Sequence, residues 1–296
     1  MDRAGEEIRL KLGLSSYSLS QAIRDGRLTI VEAVRWVAEH GGEHVEIVPV
    51  GFDLRENPAL IGEIRRAADD AGIDISNYAV GNNFIVETEE EFEARIAELK
   101  AHVDIAARLG VKRMRHDVAS VPVGEATIHR FERELPRLVE GCRRVADYAA
   151  RYGIVTSVEN HGYFIQAADR VQRLVRAVDR PNFRTTLDVG NFMCVDEDPV
   201  ASVKKNLPYA SMVHLKDFYL RPSWMEPGEG WFRTASGNYL RGAITGHGDI
   251  DLRSILKAVK ESGYDGYISI EFEGLEDCLL GSRLSLENVR RLWGIV

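Results

Sequence analysis

The sequence predicts a single (β/α)8 TIM barrel, an α/β fold, and three observations carry that expectation. Extended apolar runs alternate with segments of helical periodicity from end to end, eight such repeats can be counted, and neither a linker nor a composition shift divides the 296 residues. A doubly wound open sheet is the competing architecture. It would call for a glycine-rich nucleotide loop after an early strand, and GLSSYSLS after the first apolar run is no GxGxxG. Residues 1–296 are therefore expected to form one domain, and 45% hydrophobic with 28% charged residues is the composition of a chain that buries a sizeable core.

Taken in order, the strands read near 10–15 (LKLGLS), 44–48 (HVEIV), 73–79 (IDISNYA), 111–115, 154–159 (IVTSVE), 183–188 (FRTTLD), 209–214 and 266–271 (GYISIE). Helices fill the gaps. From Glu89 to Leu109, Phe92, Ile96, Leu99, Val103 and Ala106 fall on one stripe, and acidic residues sit at the start, where the helix dipole favours them. From about 126 to 152, Phe131, Leu135, Leu138, Cys142, Val145 and Ala149 recur at three- and four-residue steps, with Gly153 where a cap belongs. Gly41, Gly72, Gly110 and Gly263 likewise stand between a helix and the next strand. The exception is 218–245, FYLRPSWMEPGEGWFRTASGNYLRGAIT, which is long for a βα loop. Its aromatics Trp224, Trp231, Phe232 and Tyr239 suggest an ordered lid or wall over a site, or a subunit contact.

Composition also excludes function classes. A net charge of −8 without any cluster of cations and aromatics disfavours nucleic acid. No stretch approaches 18 uninterrupted apolar residues, and the opening MDRAGEEIR lacks the apolar core of a leader, so a cytoplasmic location with no membrane partner is expected. Cys142, Cys194 and Cys278 are too scattered for a disulfide framework or a metal knuckle and read as packing thiols.

The informative polar residues are Glu159, Asp188, His214 and Glu271, each closing a largely apolar segment (TSVEN, TTLDVG, MVHLKD, SIEFEG). Side chains alternate along a strand, and the residue before each of the four is apolar: Val158, Leu187, Val213 and Ile270. If those neighbours face the helices, the four polar residues face inward. They then share the C-terminal ends of strands five to eight, the end at which barrel enzymes keep their chemistry. Three carboxylates and an imidazole on one point repel each other unless a cation sits among them. Oxygen-rich ligation with one His suits Mn²⁺ first, with Mg²⁺, Co²⁺ or Zn²⁺ as alternatives. Around this set, Arg115-His116-Asp117 ends the fourth strand. There His116 is expected beside Glu159, as a base or a sugar-hydroxyl donor, or else simply bonded to a carboxylate such as Asp117. His161 shares the parity of Glu159 and is a candidate substrate contact, while His247 in GHGDID sits among glycines that suggest a tight turn.

SVENHG, TLDVGN, VHLKD, GHGDID and ISIEFEG together resemble the sugar phosphate isomerase/epimerase superfamily, the xylose isomerase-like TIM barrels, over nearly the whole chain. The resemblance implies one divalent ion held by Glu159, Asp188, His214 and Glu271, with Glu159 and Glu271 doubling as acid and base. It implies a small-molecule sugar or glycoside as substrate and a homo-oligomer; His161, Asn191, Lys216, Trp224, Trp231 and His247 are the candidate substrate contacts. Two positions depart from the ketohexose 3-epimerase pattern. Asn191 stands where those enzymes carry His, and Leu220 where they carry Arg. A metal-dependent isomerase or epimerase that enolises a keto sugar or keto-glycoside is therefore expected. The alternatives are a 3-keto-glycoside lyase similar to the C-glycoside deglycosidases, working with a small second subunit, and an inosose dehydratase-like lyase. An apurinic endonuclease is remote, because it needs a trinuclear zinc cluster and the chain has only eight histidines.

Overall fold

The computed structural model describes residues 9–296; the opening segment MDRAGEEI, on which the leader expectation rests, lies outside the described residues. In chain order the strands are β1 (Lys11–Ser15), β2 (His44–Ile47), β3 (Asp74–Val80), β4 (Arg113–His116), β5 (Val155–Glu159), β6 (Phe183–Asp188), β7 (Ala210–Leu215), β8 (Asp217–Arg221), β9 (Phe232–Arg233), β10 (Tyr239–Ala243) and β11 (Tyr267–Ile270). Eight of them, β1-β11-β7-β6-β5-β4-β3-β2, form a closed parallel barrel. β1 seals the ring by pairing with β11 on one side and β2 on the other.

Around it lie α1 (Ser20–Arg24), α2 (Ile30–Glu39), α3 (Ala59–Ala71), α4 (Glu89–Leu109), α5 (Ile128–Ala149), α6 (Ala168–Val178), α7 (Pro199–Asn206), α8 (Leu252–Glu261) and α9 (Cys278–Trp293). Parallel strands covered by helices bury both faces, which is why they read as apolar runs. Val158, Leu187, Val213 and Ile270 are all fully buried. Capping sets the helix limits. Thr88 and Glu91 exchange side-chain and backbone hydrogen bonds in a capping box that starts α4, and Gly110, at a φ of 82°, ends it. The stripe expected over 126–152 is shorter as an α-helix, because its last turn, Ala150–Tyr152, tightens into a 3-10 turn before Gly153. Among the described residues, no helix is long and apolar enough to cross a membrane.

The segment 218–245 is not a loop. β8, β10 and β9 form a three-stranded antiparallel sheet in the order β8-β10-β9, with Tyr239 opposite Arg221 and Leu240 opposite Leu220. Prolines and glycines between β8 and β9 give the stretch a loop-like composition, and β9 is only two residues long, too short to announce itself by periodicity. The sheet rests on the rim through a bridge between Gly242 and Gly274. A Cβ on Gly242 would collide with the carbonyl of Glu273, so only glycine permits this approach.

Candidate metal centre

Strand ends bring the four polar residues together. Glu159 ends β5, Asp188 ends β6, His214 lies in β7 and Glu271 follows β11, all buried, with one ligand atom from each within 4.8 Å of every other. Two buried atoms of the set lack a hydrogen-bond partner: Asp188 Oδ2 and His214 Nδ1. The imidazole's other nitrogen, Nε2, lies 3.1 Å from Glu46 Oε2. Glu46, which also accepts from Asn77 Nδ2 at 2.7 Å, is an acceptor, so Nε2 donates and the Nδ1 lone pair is left facing the carboxylates. Orphaned donor atoms, three carboxylates and one oriented imidazole fit a divalent cation.

Charge around the cluster is balanced from both sides. Arg115 donates to Glu159 through Nε at 2.6 Å and also pairs with Asp117 at 3.4 Å. Lys216 Nζ lies 2.7 Å from Glu271, 3.2 Å from Glu273 and 3.5 Å from Asp188, and it donates to Asn191 Oδ1 at 3.3 Å. Asn191 in turn donates to Glu159 at 3.2 Å. Burial would raise the Glu159 carboxyl, but Arg115, His214 and Lys216 hold it well below its ordinary range. Burial pushes Glu271 up to about 7 against the pull of Lys216. Burial would lower His214, yet Glu46, Glu159 and Glu271 keep it well above its usual value.

Above the cluster is a cavity of about 210 Å³, reached by Glu159, Glu271, Lys216, Arg115, His161 and Tyr17. A larger cavity of about 830 Å³ opens at the other end of the barrel, around the starts of β4 to β7, and holds none of these groups. His161 is exposed at the mouth, 3.7 Å from Asp117. The structure places other candidates elsewhere. His116 does not reach the cavity, because β4 turns Arg115 inward and His116 outward, edge-on to Phe84 with ring centroids 6.2 Å apart. Its Nδ1 bonds the Asp117 carbonyl at 3.0 Å, and burial pushes its pKa down to about 4. Trp224 is 78% exposed, His247 sits in an exposed turn, and Trp231 lies beneath Arg221 and Arg241. None of these three lines the cavity.

Glu46 is the participant the sequence reading missed. Its signal was present, an acid inside the apolar run HVEIV with inward parity, but it lies on a strand remote from the four ligand strands. Glu46→Gln is expected to weaken divalent-ion affinity about 10-fold through a less basic His214, as read by calorimetry. Unchanged affinity would remove Glu46 from this role.

Comparison with known proteins agrees with the geometry. The family described as "Xylose isomerase-like TIM barrel" matches residues 34–290. The inosose dehydratase of Bacillus licheniformis is 28% identical over 243 residues, covering 77% of this chain and 79% of that protein. D-psicose 3-epimerase from Clostridium cellulolyticum H10, solved with D-tagatose, superposes with a TM-score of 0.74 at 17% identity over 96% of this chain and 99% of that one. A xylose isomerase-like TIM barrel protein from Mycobacterium smegmatis, solved in complex with magnesium, gives 0.67 at 20% identity over 90% and 87%. At these identities the two solved structures establish the fold alone.

Proposed function

We propose, from the premise that this chain belongs to the xylose isomerase-like TIM-barrel family, that it is a divalent-metal-dependent enzyme that enolises a keto sugar or keto-glycoside and returns it as an isomer or epimer. The observation that carries this reading is the convergence of Glu159, Asp188, His214 and Glu271 beneath a cavity of about 210 Å³ whose wall carries Arg115, Asp117, His161, Lys216 and Glu273. A divalent ion held by those four residues supplies Lewis acidity, making a C–H beside a carbonyl acidic and stabilising the charge that develops. The donor set favours Mn²⁺, with Mg²⁺ close behind.

The protein's own groups then move and place protons. In the barrel order β6 and β7 lie between the strands of Glu159 and Glu271, so these carboxylates reach the cavity from separate sides. One takes a proton from a carbon and the other returns one, which inverts the centre or shifts the carbonyl. Arg115 and Asn191 fix the Glu159 carboxylate, and Lys216, whose N–H groups are directed at Glu271, Glu273 and Asn191, fixes Glu271 and can exchange one of these partners for a substrate oxygen. His161 and Asp117 stand at the mouth, placed to bond sugar hydroxyls.

Elimination is the second reading. The similarity to inosose dehydratase favours it, and the Lys216–Glu273 pair beside Glu271 supplies an acid for a departing hydroxyl. Incubation of the metal-loaded enzyme with keto sugars in heavy water tests both. Deuterium is expected at a carbon next to the carbonyl, with unchanged skeletal mass for epimerisation and loss of water for elimination. Turnover of any substrate without deuterium uptake would rule out enolisation.

A further inference from the structure

A second cavity, of about 380 Å³, adjoins the catalytic one. The two share Tyr17 and Glu273 as lining residues. Their walls differ in kind. The catalytic cavity carries the carboxylates and cations of the site, whereas the second brings the rings of Phe232, Phe272 and Tyr17 together with the polar side chains of Ser18, Ser20, Gln21 and Glu273.

The aromatic wall is built and fixed. Phe272 is buried, and its ring fills the space that a Cβ on Gly274 or Gly281 would need, so two glycines hold it in one place. Its backbone N–H donates to Ser18 Oγ at 2.9 Å, and that hydroxyl donates on to the Ile270 carbonyl. Phe232, 39% exposed on β9, stands edge-on against buried Phe218 with ring centroids 5.6 Å apart. The three-stranded sheet therefore delivers Phe232 to this cavity while Trp224 and Trp231 point elsewhere. Some polar groups here are engaged, while Ser20 and Gln21 also line the cavity. Ser18 both donates and accepts a hydrogen bond, Cys278 accepts from Arg27 at 3.5 Å, and Glu273 is paired with Lys216. What remains for a ligand is aromatic surface flanked by the neutral polar side chains of Ser20 and Gln21, without unpaired charge.

We propose that this cavity is a subsite for an uncharged ring joined to the sugar in the catalytic cavity, so that the substrate is a glycoside rather than a free monosaccharide or cyclitol. This rests on the reading that the catalytic cavity holds the reacting sugar. Such a ring would be gripped by stacking on Phe232 and Phe272, an interaction aryl groups and the C–H faces of pyranoses can both make.

The test measures binding of methyl β-D-glucopyranoside, phenyl β-D-glucopyranoside and cellobiose to the Mg²⁺-loaded protein by calorimetry. These probes lack the carbonyl that enolisation requires, so binding is read without turnover. The phenyl glycoside or cellobiose is expected to bind at least fivefold tighter than the methyl glycoside, and the better of the two identifies an aryl or a sugar ring. In Phe232→Ala, a change at a half-exposed position, that ratio is expected to fall to near one. Equal affinities, no binding by any of the three, or an advantage that survives in Phe232→Ala would overturn the subsite. Deuterium uptake by the keto derivatives of the same three glycosides reports on the catalytic reading alone: uptake without ring preference removes the subsite only, and ring preference without uptake removes the catalytic reading only.

Discussion

Asp188→Asn is expected to abolish tight divalent-metal binding and leave the barrel folded. The two oxygens of Asp188 do different work. Oδ1 accepts from the backbone N–H groups of Gly190 and Asn191, both at 2.8 Å, and so shapes the turn after β6. Oδ2 is buried without a hydrogen-bond partner, among the other ligand atoms. Asparagine keeps an oxygen for the turn and replaces the outward oxygen by an NH₂ group, which cannot coordinate a cation. The fall in affinity should be at least ~100-fold, larger than the 10- to 100-fold typical of changes behind the ligands. Thermal unfolding checks it from a second side. A metal present at about 100 times its Kd adds about 2.7 kcal/mol to the folded state, a rise of several degrees in Tm, and the variant should show almost none of it. Undiminished affinity with an intact fold would strike Asp188 from the ligand set.

The barrel was legible because its evidence repeats around the chain: eight apolar strands alternate with striped helices, and five of the helix-to-strand turns carry a glycine. Errors in one repeat do not disturb the count, and β4 was placed well enough although its sequence, RMRH, is the least strand-like of the eight. The ligand set was legible for the same reason, since parity fixes which residue of a strand faces in. What parity could not give was the outcome at β4, where a one-residue difference in the strand's end decides between Arg115 and His116. Arg115 faces in because it finds Glu159 and Asp117; His116 faces out because its neutral ring packs against Phe84 and Phe183. That choice follows from partners far away in sequence. The small sheet was hidden for another reason. Its strands gain their stability from docking on the rim through Gly242, and isolated short strands carry little signal of their own.

The partners of Glu159 and Glu271 also separate two carboxylates that look alike in sequence. Arg115 is a fixed fork on Glu159, while Lys216 is a single ammonium on Glu271, shared with Glu273 and Asp188. A guanidinium holds a carboxylate in place as an anion. An ammonium on a flexible stem can follow a proton as it moves.

Lys216→Met should therefore tighten divalent-metal binding and cripple turnover. Lys216 is almost completely buried, and its nearest partners include two of the four ligands, Glu271 at 2.7 Å and Asp188 at 3.5 Å. A bound cation and this ammonium compete for the same negative charge. Two unit charges about 4 Å apart interact by about 4 kcal/mol at an effective dielectric of about 20, so removing the ammonium favours the cation even after the site relaxes. A gain of roughly tenfold in affinity is a conservative expectation on that scale. The metal-free variant pays in stability, because stripping one partner from a buried ion cluster costs about 3–5 kcal/mol, and its Tm should recover on adding metal by more than the parent's does. Turnover should fall by about 10²–10⁴, the usual contribution of a positioned proton donor, since methionine fills the space without an N–H. The opposing signs decide the matter. A lysine that merely packs the cavity wall would leave both quantities near the parent values, and one that only props up the ligands would lower both together. Tighter metal with slower chemistry is the signature of a group that neutralises the site at rest and serves the substrate during reaction.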